Sequence, residues 1–171
     1  NLGGVGNVTY IDGDTLLAFD TGPGNALIND WVAHHTGRPY DAEGQLAAAG
    51  RVDGGRLMRL LAAPFFDRPP PKSLDRNDFD LGAVDGLSDA DGARTLAAFT
   101  ATAVARSLDH LPSAPKRWLV TGGGRHNPVI MAELRARLGA PVDPVEAVGW
   151  IGDALEAQAF AFLAVRTLQG L

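Results

Sequence analysis

Apolar and polar positions alternate through Val8 and Tyr10, break at Asp12-Gly13 and resume at Leu16 and Ala18, which predicts a β-hairpin turning at Asp12-Gly13. Beyond Asp20-Thr21-Gly22-Pro23-Gly24 the period lengthens. Leu27, Ile28, Trp31, Val32 and His35 fall on one helical face, with Asn25 placed to cap the helix and Gly37 to end it. A polar stretch from Arg38 to Gly44 leads to short helices carrying Leu46 and then Leu57, Leu60 and Leu61. Pro64 and Pro69-Pro70-Pro71 enforce extended chain, so residues 64–86 are expected to be mostly loop, long enough to suggest a functional role. Ser88 with Asp91 reads as a capping pair before an alanine-rich helix through Leu96, Phe99, Val104 and Leu108 to about Asp109. At 1.5 Å per residue such a helix is about 30 Å long.

Pro112 and Pro115 bracket the link to Arg117-Trp118-Leu119-Val120-Thr121, a short apolar run expected to be a buried strand. Gly122-Gly123-Gly124 follows, and Asn127-Pro128 forms an N-cap and first-turn pair opening a helix through Leu134 and Leu138. A second strand around Pro141 to Ala147 precedes a final helix from about Asp153 to Leu168, ended by Gly170. Hairpin, helix, strand, helix, strand, helix is an α/β order. Neither an internal repeat nor a linker divides it, so residues 1–171 read as a single domain.

Composition narrows the function. With 46% hydrophobic and 20% charged side chains, 171 residues are neither disordered nor too few for one core, and they would also suffice for half of a two-lobed enzyme. A net charge of −5 lacks the basic footprint of a nucleic-acid binder, so phosphate would have to be held locally. The lack of cysteine excludes disulfides, thiolate metal sites and a cysteine nucleophile, and fits a reducing cytoplasm. No run approaches the roughly 20 apolar residues of a membrane span. The chain opens on Asn1 and a glycine-rich run, without the blocks of a signal peptide, and is read as beginning inside a longer protein.

Three glycine-rich turns carry the candidate chemistry. Asn1-Leu2-Gly3-Gly4-Val5-Gly6-Asn7 leads into a strand, and glycines there let backbone N–H groups approach a phosphate. Asp20-Thr21-Gly22-Pro23-Gly24-Asn25 brings a carboxylate, a hydroxyl and a helix N-terminus together, a combination suited to magnesium-bound phosphate or a sugar hydroxyl. Thr121-Gly122-Gly123-Gly124-Arg125-His126-Asn127 lies between strand and helix, where open α/β sheets bind ligands. It is neither a P-loop nor GxGxxG, and a flat adenosine against bare backbone is its functional reading. His34 and His35 are neighbours on a helix and point apart, so they cannot chelate one metal. Lys72 and Arg76 could reach a substrate carboxylate, although surface charge is the default for both. Trp31, Trp118 and Phe99 are assigned to the core, and Trp150 could pack on a sugar face.

Taken in order, Asn1 to Thr9, Phe19 to Asn25, Pro71-Lys72-Ser73, Gly122 to Pro128 and Gly152-Asp153-Ala154-Leu155-Glu156-Ala157 closely resemble the anhydro-N-acetylmuramic acid kinases, and the resemblance spans the whole chain. It implies one lobe, the C-terminal one, of the two-lobed actin-like ATPase (ribonuclease H-like) fold, an α/β lobe with a mixed sheet and flanking helices. The N-terminal lobe would be absent from this chain, and with it the catalytic general-base aspartate, expected upstream of Asn1.

By resemblance, Gly3, Gly4, Asn7 and Thr9 face the nucleotide phosphates, and Gly122, Gly123, Gly124 and Asn127 hold the adenosine. Asp20, Thr21 and Gly22 face phosphate, metal or sugar. Glu156 is the candidate sugar-side carboxylate, since a charge among Leu155, Phe160 and Leu163 wants a polar partner. The implied substrates are ATP, with Mg2+, and 1,6-anhydro-N-acetylmuramic acid, in cytoplasmic recycling of peptidoglycan by a homodimer, with no nucleic acid or membrane involved. The alternative is a nucleotide-binding or assembly module without catalysis of its own.

Overall fold

The computed structural model describes residues 1–171. The predicted hairpin forms from β1 (Val5–Asp12) and β2 (Thr15–Pro23), antiparallel, with Val8 opposite Phe19, Asp12 opposite Thr15 and one register shift at Gly6/Asn7. Helix α1 (Ala26–Thr36) follows and buries Leu27, Ile28, Trp31 and Val32, as the periodicity requires. Its start differs from the expectation. Asn25 is already helical, at φ −96° and ψ −2°, and its side chain makes no capping bond. Donors at the helix start go instead to the first glycine turn: Asn25 donates to the Gly3 carbonyl at 2.8 Å and Ala26 to that of Gly4 at 3.3 Å, beside Gly24, which donates to the same Gly4 carbonyl at 2.9 Å.

Helices α2 (Gln45–Ala49) and α3 (Gly54–Leu61) lead to the proline-rich stretch, which contains only short 3-10 turns at Pro64–Asp67, Arg76–Asp78 and Leu81–Val84. The stretch is anchored, because buried Phe65 and Phe66 pack with Phe79 and Phe99 in an aromatic cluster. The organising element is α4 (Asp89–Arg106), whose Leu96, Ala97, Ala98, Phe99 and Ala101 are inaccessible to solvent. Small alanines let α1, α2, α3 and β2 approach it closely, as does α5 (Pro128–Arg137). The Ser88 hydroxyl accepts the Asp91 N–H as expected, but the Asp91 carboxylate takes the Arg51 N–H at 2.7 Å, tying the helix start to the α2–α3 link. The α-helix ends at Arg106, short of Asp109, and a 3-10 turn over Ser107–His110 completes the run.

Strands β3 (Trp118–Val120) and β4 (Val142–Pro144) pair in parallel, with α5 as the crossover. The second of these is shorter than predicted because Val145–Val148 turns into a 3-10 helix. The expected single mixed sheet is not formed, for the hairpin and the β3–β4 pair are separate two-stranded sheets. Only Asn1 and Leu2 lie between them, and Leu2 makes an isolated bridge to Gly6. The last helix, α6 (Leu155–Leu168), buries none of its residues; Phe160 is 66% exposed and Leu163 54%. No helix is long and apolar enough to cross a membrane.

Candidate functional site

The three glycine turns, more than a hundred residues apart at their extremes, meet at one place. Leu2 donates its N–H to the Thr121 carbonyl at 2.8 Å and accepts the Gly124 N–H at 2.9 Å, which joins the first turn to the third. The Gly3 and Gly4 carbonyls accept from Asn25 and Gly24, which joins the first to the second. The buried Thr100 hydroxyl, on α4, donates to the Gly24 carbonyl at 2.6 Å and fixes the second turn to the core. Sequence pattern gave no prominence to Thr100; a hydroxyl inside an alanine-rich helix is the signal that would have found it.

Close approach explains several of the glycines. A Cβ on Gly24 would strike the Gly3 carbonyl oxygen, and one on Gly122, where φ is +79°, would lie 2.6 Å from the Leu2 carbonyl carbon. These positions are glycine so that loops can touch. Gly3 and Gly4 are less crowded, their nearest neighbours 3.7 Å from a would-be Cβ, and there bare backbone stays accessible to a ligand.

Gly122 and Gly123 line a cavity of about 460 Å³ together with Asn1, Thr121, Asp153 and Glu156. The structure thus brings Glu156 beside the third turn. The premise for singling it out does not hold, however, since Phe160 and Leu163 are exposed and Glu156 stands at a solvent-facing helix start with no polar partner. Asn7 and Thr9 line a different, larger groove on the outer edge of β1. Asn127 is buried, and its carbonyl oxygen accepts from the Val129 and Ile130 N–H groups at 3.0 and 3.3 Å, which makes it the cap of α5 as predicted.

Asp20 accepts the Leu74 N–H at 2.8 Å and donates its own N–H to the Lys72 carbonyl at 3.0 Å, so it anchors the 71–74 segment beside the hairpin. Thr21 is buried, its hydroxyl unpaired and facing Gly6. Gly22 is packed against Phe66 and Ala103. These three residues line neither the cavity nor the groove. No group of three or more His, Cys, Asp or Glu side chains is placed to hold a metal ion. Lys72 sits with its ammonium 4.7 Å from the Phe65 ring centre, its pKa lowered first by burial and then by Arg106, and Arg76 pairs with Asp30 at 2.7 Å. Neither charged group is bonded to the glycine turns.

The side chain that sequence reading passed over is Arg125. Its guanidinium is almost wholly buried and donates to the Gly122 carbonyl at 2.9 Å, to Glu146 at 3.0 Å and to Asp153 at 2.7 Å. Burial opposes the charge, but the bonds to Asp153 and Glu146 outweigh it and hold the guanidinium protonated. Asp153 is held below the usual carboxylate range by Arg125. Glu146 is held low first by its own backbone N–H, against opposing desolvation, and then by Arg125. One buried cation therefore clamps the third glycine turn to the segment leading into α6. The clamp sets one guanidinium against two carboxylates and leaves no free positive charge beside the cavity, so what the turns offer a ligand is the bare backbone of Gly3 and Gly4 and of Gly122 and Gly123.

The family model described as "Anhydro-N-acetylmuramic acid kinase" matches residues 1–171. Proteins of that name from Rhodospirillum rubrum, Paramagnetospirillum magneticum and Acidiphilium cryptum are 63%, 62% and 60% identical to this chain over 99–100% of its length. The chain spans about half the length of these relatives, 46%, 49% and 48% respectively. With the match running unbroken from the first glycine turn through α6, the chain belongs to the anhydro-N-acetylmuramic acid kinase family.

Proposed function

We propose that this chain is the nucleotide-binding half of an ATP-dependent sugar kinase that converts 1,6-anhydro-N-acetylmuramic acid to N-acetylmuramic acid 6-phosphate. The observation that carries the reading is the junction of the three glycine turns, tied by the Leu2 and Gly3–Gly4 hydrogen bonds around open backbone. In this reading Gly3, Gly4, Asn7 and Thr9 serve the phosphates, and Gly122, Gly123, Gly124 and Asn127 the adenosine. Mg2+ would enter with the phosphates of ATP. The fold is proposed to be one lobe, residues 1–171, of an actin-like ATPase, working as a cytoplasmic homodimer in peptidoglycan recycling.

The reaction opens the anhydro bridge by attack of water on the anomeric carbon, and the freed O6 takes the γ-phosphoryl group of ATP, leaving ADP. A general base and in-line positioning are what this asks of the protein. The base is assigned to the other lobe. Of the three candidates in the second turn, Asp20 acts by anchoring the 71–74 segment, and Thr21 and Gly22 by shaping the turn from within the core. Glu156, on the cavity rim, is assigned to the sugar.

The test is turnover. The chain with ATP, Mg2+ and the anhydro sugar should release no phosphorylated sugar, and mixing it with the separately produced N-terminal half of the Rhodospirillum rubrum relative should restore release, read by mass spectrometry. Full-rate turnover by the chain alone would overturn the assignment of the base to the other lobe. ADP binding without turnover in any combination would favour the binding-module reading.

A further inference from the structure

The Arg125 guanidinium touches both ends of the proposed site. At the nucleotide end its Nη1 donates to the Gly122 carbonyl at 2.9 Å, and that carbonyl also accepts the Arg125 backbone N–H at 3.2 Å. A peptide group is planar, with C=O and N–H pointing opposite ways, so holding the Gly122 carbonyl fixes the direction of the Gly123 N–H in the turn that lines the cavity. At the other end Nη2 donates to Asp153 at 2.7 Å and Nε to Glu146 at 3.0 Å. The same Glu146 oxygen takes the Gly152 N–H at 3.2 Å, which draws the chain before α6 onto the guanidinium. His126, also of the third turn, faces Asp153 from 3.6 Å, which is longer than a hydrogen bond.

Gly152 leaves no room for a side chain at this contact. A Cβ there would lie 2.6 Å from both Cζ and Nε of Arg125. Its φ is not among the positive ones, so turn geometry does not ask for glycine at this position, and the close approach of the guanidinium does. Glu156 follows three residues after Asp153, in the first turn of α6 and on the rim of the same cavity as Gly122 and Gly123. Ala154 and Leu155 are half-buried and every residue from Glu156 to Leu171 is exposed. No buried side chain of α6 therefore competes with the clamp in setting where Glu156 stands.

We propose that Arg125 is a positioning residue that couples the two substrate sites. Nucleotide seated on the third glycine turn holds the Gly122–Gly123 peptide, and the guanidinium passes that constraint through Glu146, Gly152 and Asp153 to Glu156. The coupling rests on the reading of the third turn as the adenosine site and of Glu156 as the sugar-side carboxylate. Coupling of this kind is reciprocal, so sugar held at Glu156 tightens nucleotide by the same factor by which nucleotide tightens sugar. It favours opening of the anhydro bridge where a phosphoryl donor is already bound over hydrolysis without one.

The experiment titrates ADP with Mg2+ into four isotope-labelled proteins: the chain itself, Asp153→Ala, Asp153→Asn and Gly152→Ala. Amide shifts are read at Gly122 and Gly123, and at Gln158 to Phe162, which lie outside the cavity lining. In the unaltered chain both sets should move along one saturation curve. Asp153→Ala removes one end of the clamp, and Gly152→Ala forces the guanidinium aside with every charge left in place. In both, the Gly122 and Gly123 shifts should remain and the α6 shifts should shrink at least about fivefold. Asp153→Asn keeps an oxygen for Nη2 and should retain roughly half or more of the α6 shifts, a rescue that loss of stability alone would not produce. The Asp153 side chain is 77% exposed, so folding does not depend on it. Three results would overturn the coupling and leave the nucleotide reading standing: α6 shifts that persist in Asp153→Ala or Gly152→Ala, α6 shifts absent from the unaltered chain while Gly122 and Gly123 respond, or Asp153→Asn losing as much as Asp153→Ala. No shift anywhere at millimolar ADP would overturn the nucleotide reading and the coupling with it.

Discussion

Gly122→Ala tests the contact between the first and third turns. At φ +79° and ψ 170° the residue occupies a region open essentially to glycine alone, and a side chain there costs about 1–3 kcal/mol. The added Cβ would also lie 2.6 Å from the Leu2 carbonyl carbon and 2.7 Å from its oxygen, and these are backbone atoms held by the Thr121 and Gly124 bonds. Moving them strains two hydrogen bonds worth about 1 kcal/mol each, so the total is about 3–5 kcal/mol. Gly139→Ala is the control. Its φ is +64°, yet nothing lies within 4 Å of the new Cβ, so it should cost only about 1–2 kcal/mol. Urea unfolding followed by the fluorescence of buried Trp31 reads both. Costs within about 1 kcal/mol of each other would refute the reasoning, because the loop contact would then contribute nothing measurable.

Thr100→Val removes the hydroxyl from the Gly24 carbonyl and leaves that buried acceptor unpaired, which should cost about 1–3 kcal/mol in urea unfolding and weaken ADP binding as the second turn loosens. Asn127→Ala removes the cap of α5 and should cost about 1 kcal/mol, read the same way. Asp153 and Glu146 are held below their unfolded pKa values, so the stability they contribute is present above those values and is lost as pH falls through about 4 toward the depressed folded ones. Arg125→Met should flatten that acid limb in pH-dependent unfolding, and an unchanged limb would contradict the clamp. In a two-lobe protein, Glu156→Ala should raise KM for the anhydro sugar with KM for ATP unchanged; unaltered sugar kinetics would remove Glu156 from the site.

Local chemistry made much of this legible in sequence. The hairpin turn at Asp12-Gly13, the α1 face through Trp31, the Asn127-Pro128 start of α5 and the order of the glycine turns all follow from spacing, because each is decided within a few residues. What escaped was set at long range. Asn25 gave up its capping role because the Gly3 and Gly4 carbonyls, some twenty residues away, satisfy the helix start. Arg125 had no role in the sequence reading, because Glu146 and Asp153, which close over it, lie 21 and 28 residues further along the chain. Glu156 was expected among apolar neighbours, and α6 instead stands clear of the core. The split of the expected mixed sheet into two two-stranded pairs likewise follows from no local pattern.

The central proposal is that the first and third glycine turns, backed by the second, form one nucleotide-binding face. Amide chemical-shift mapping of the isotope-labelled chain titrated with ADP and Mg2+ tests it most directly. Saturable shifts clustered at Gly3 to Asn7 and Thr121 to Asn127, abolished in Gly122→Ala, are expected. Shifts centred elsewhere, or none at millimolar ADP, would contradict it.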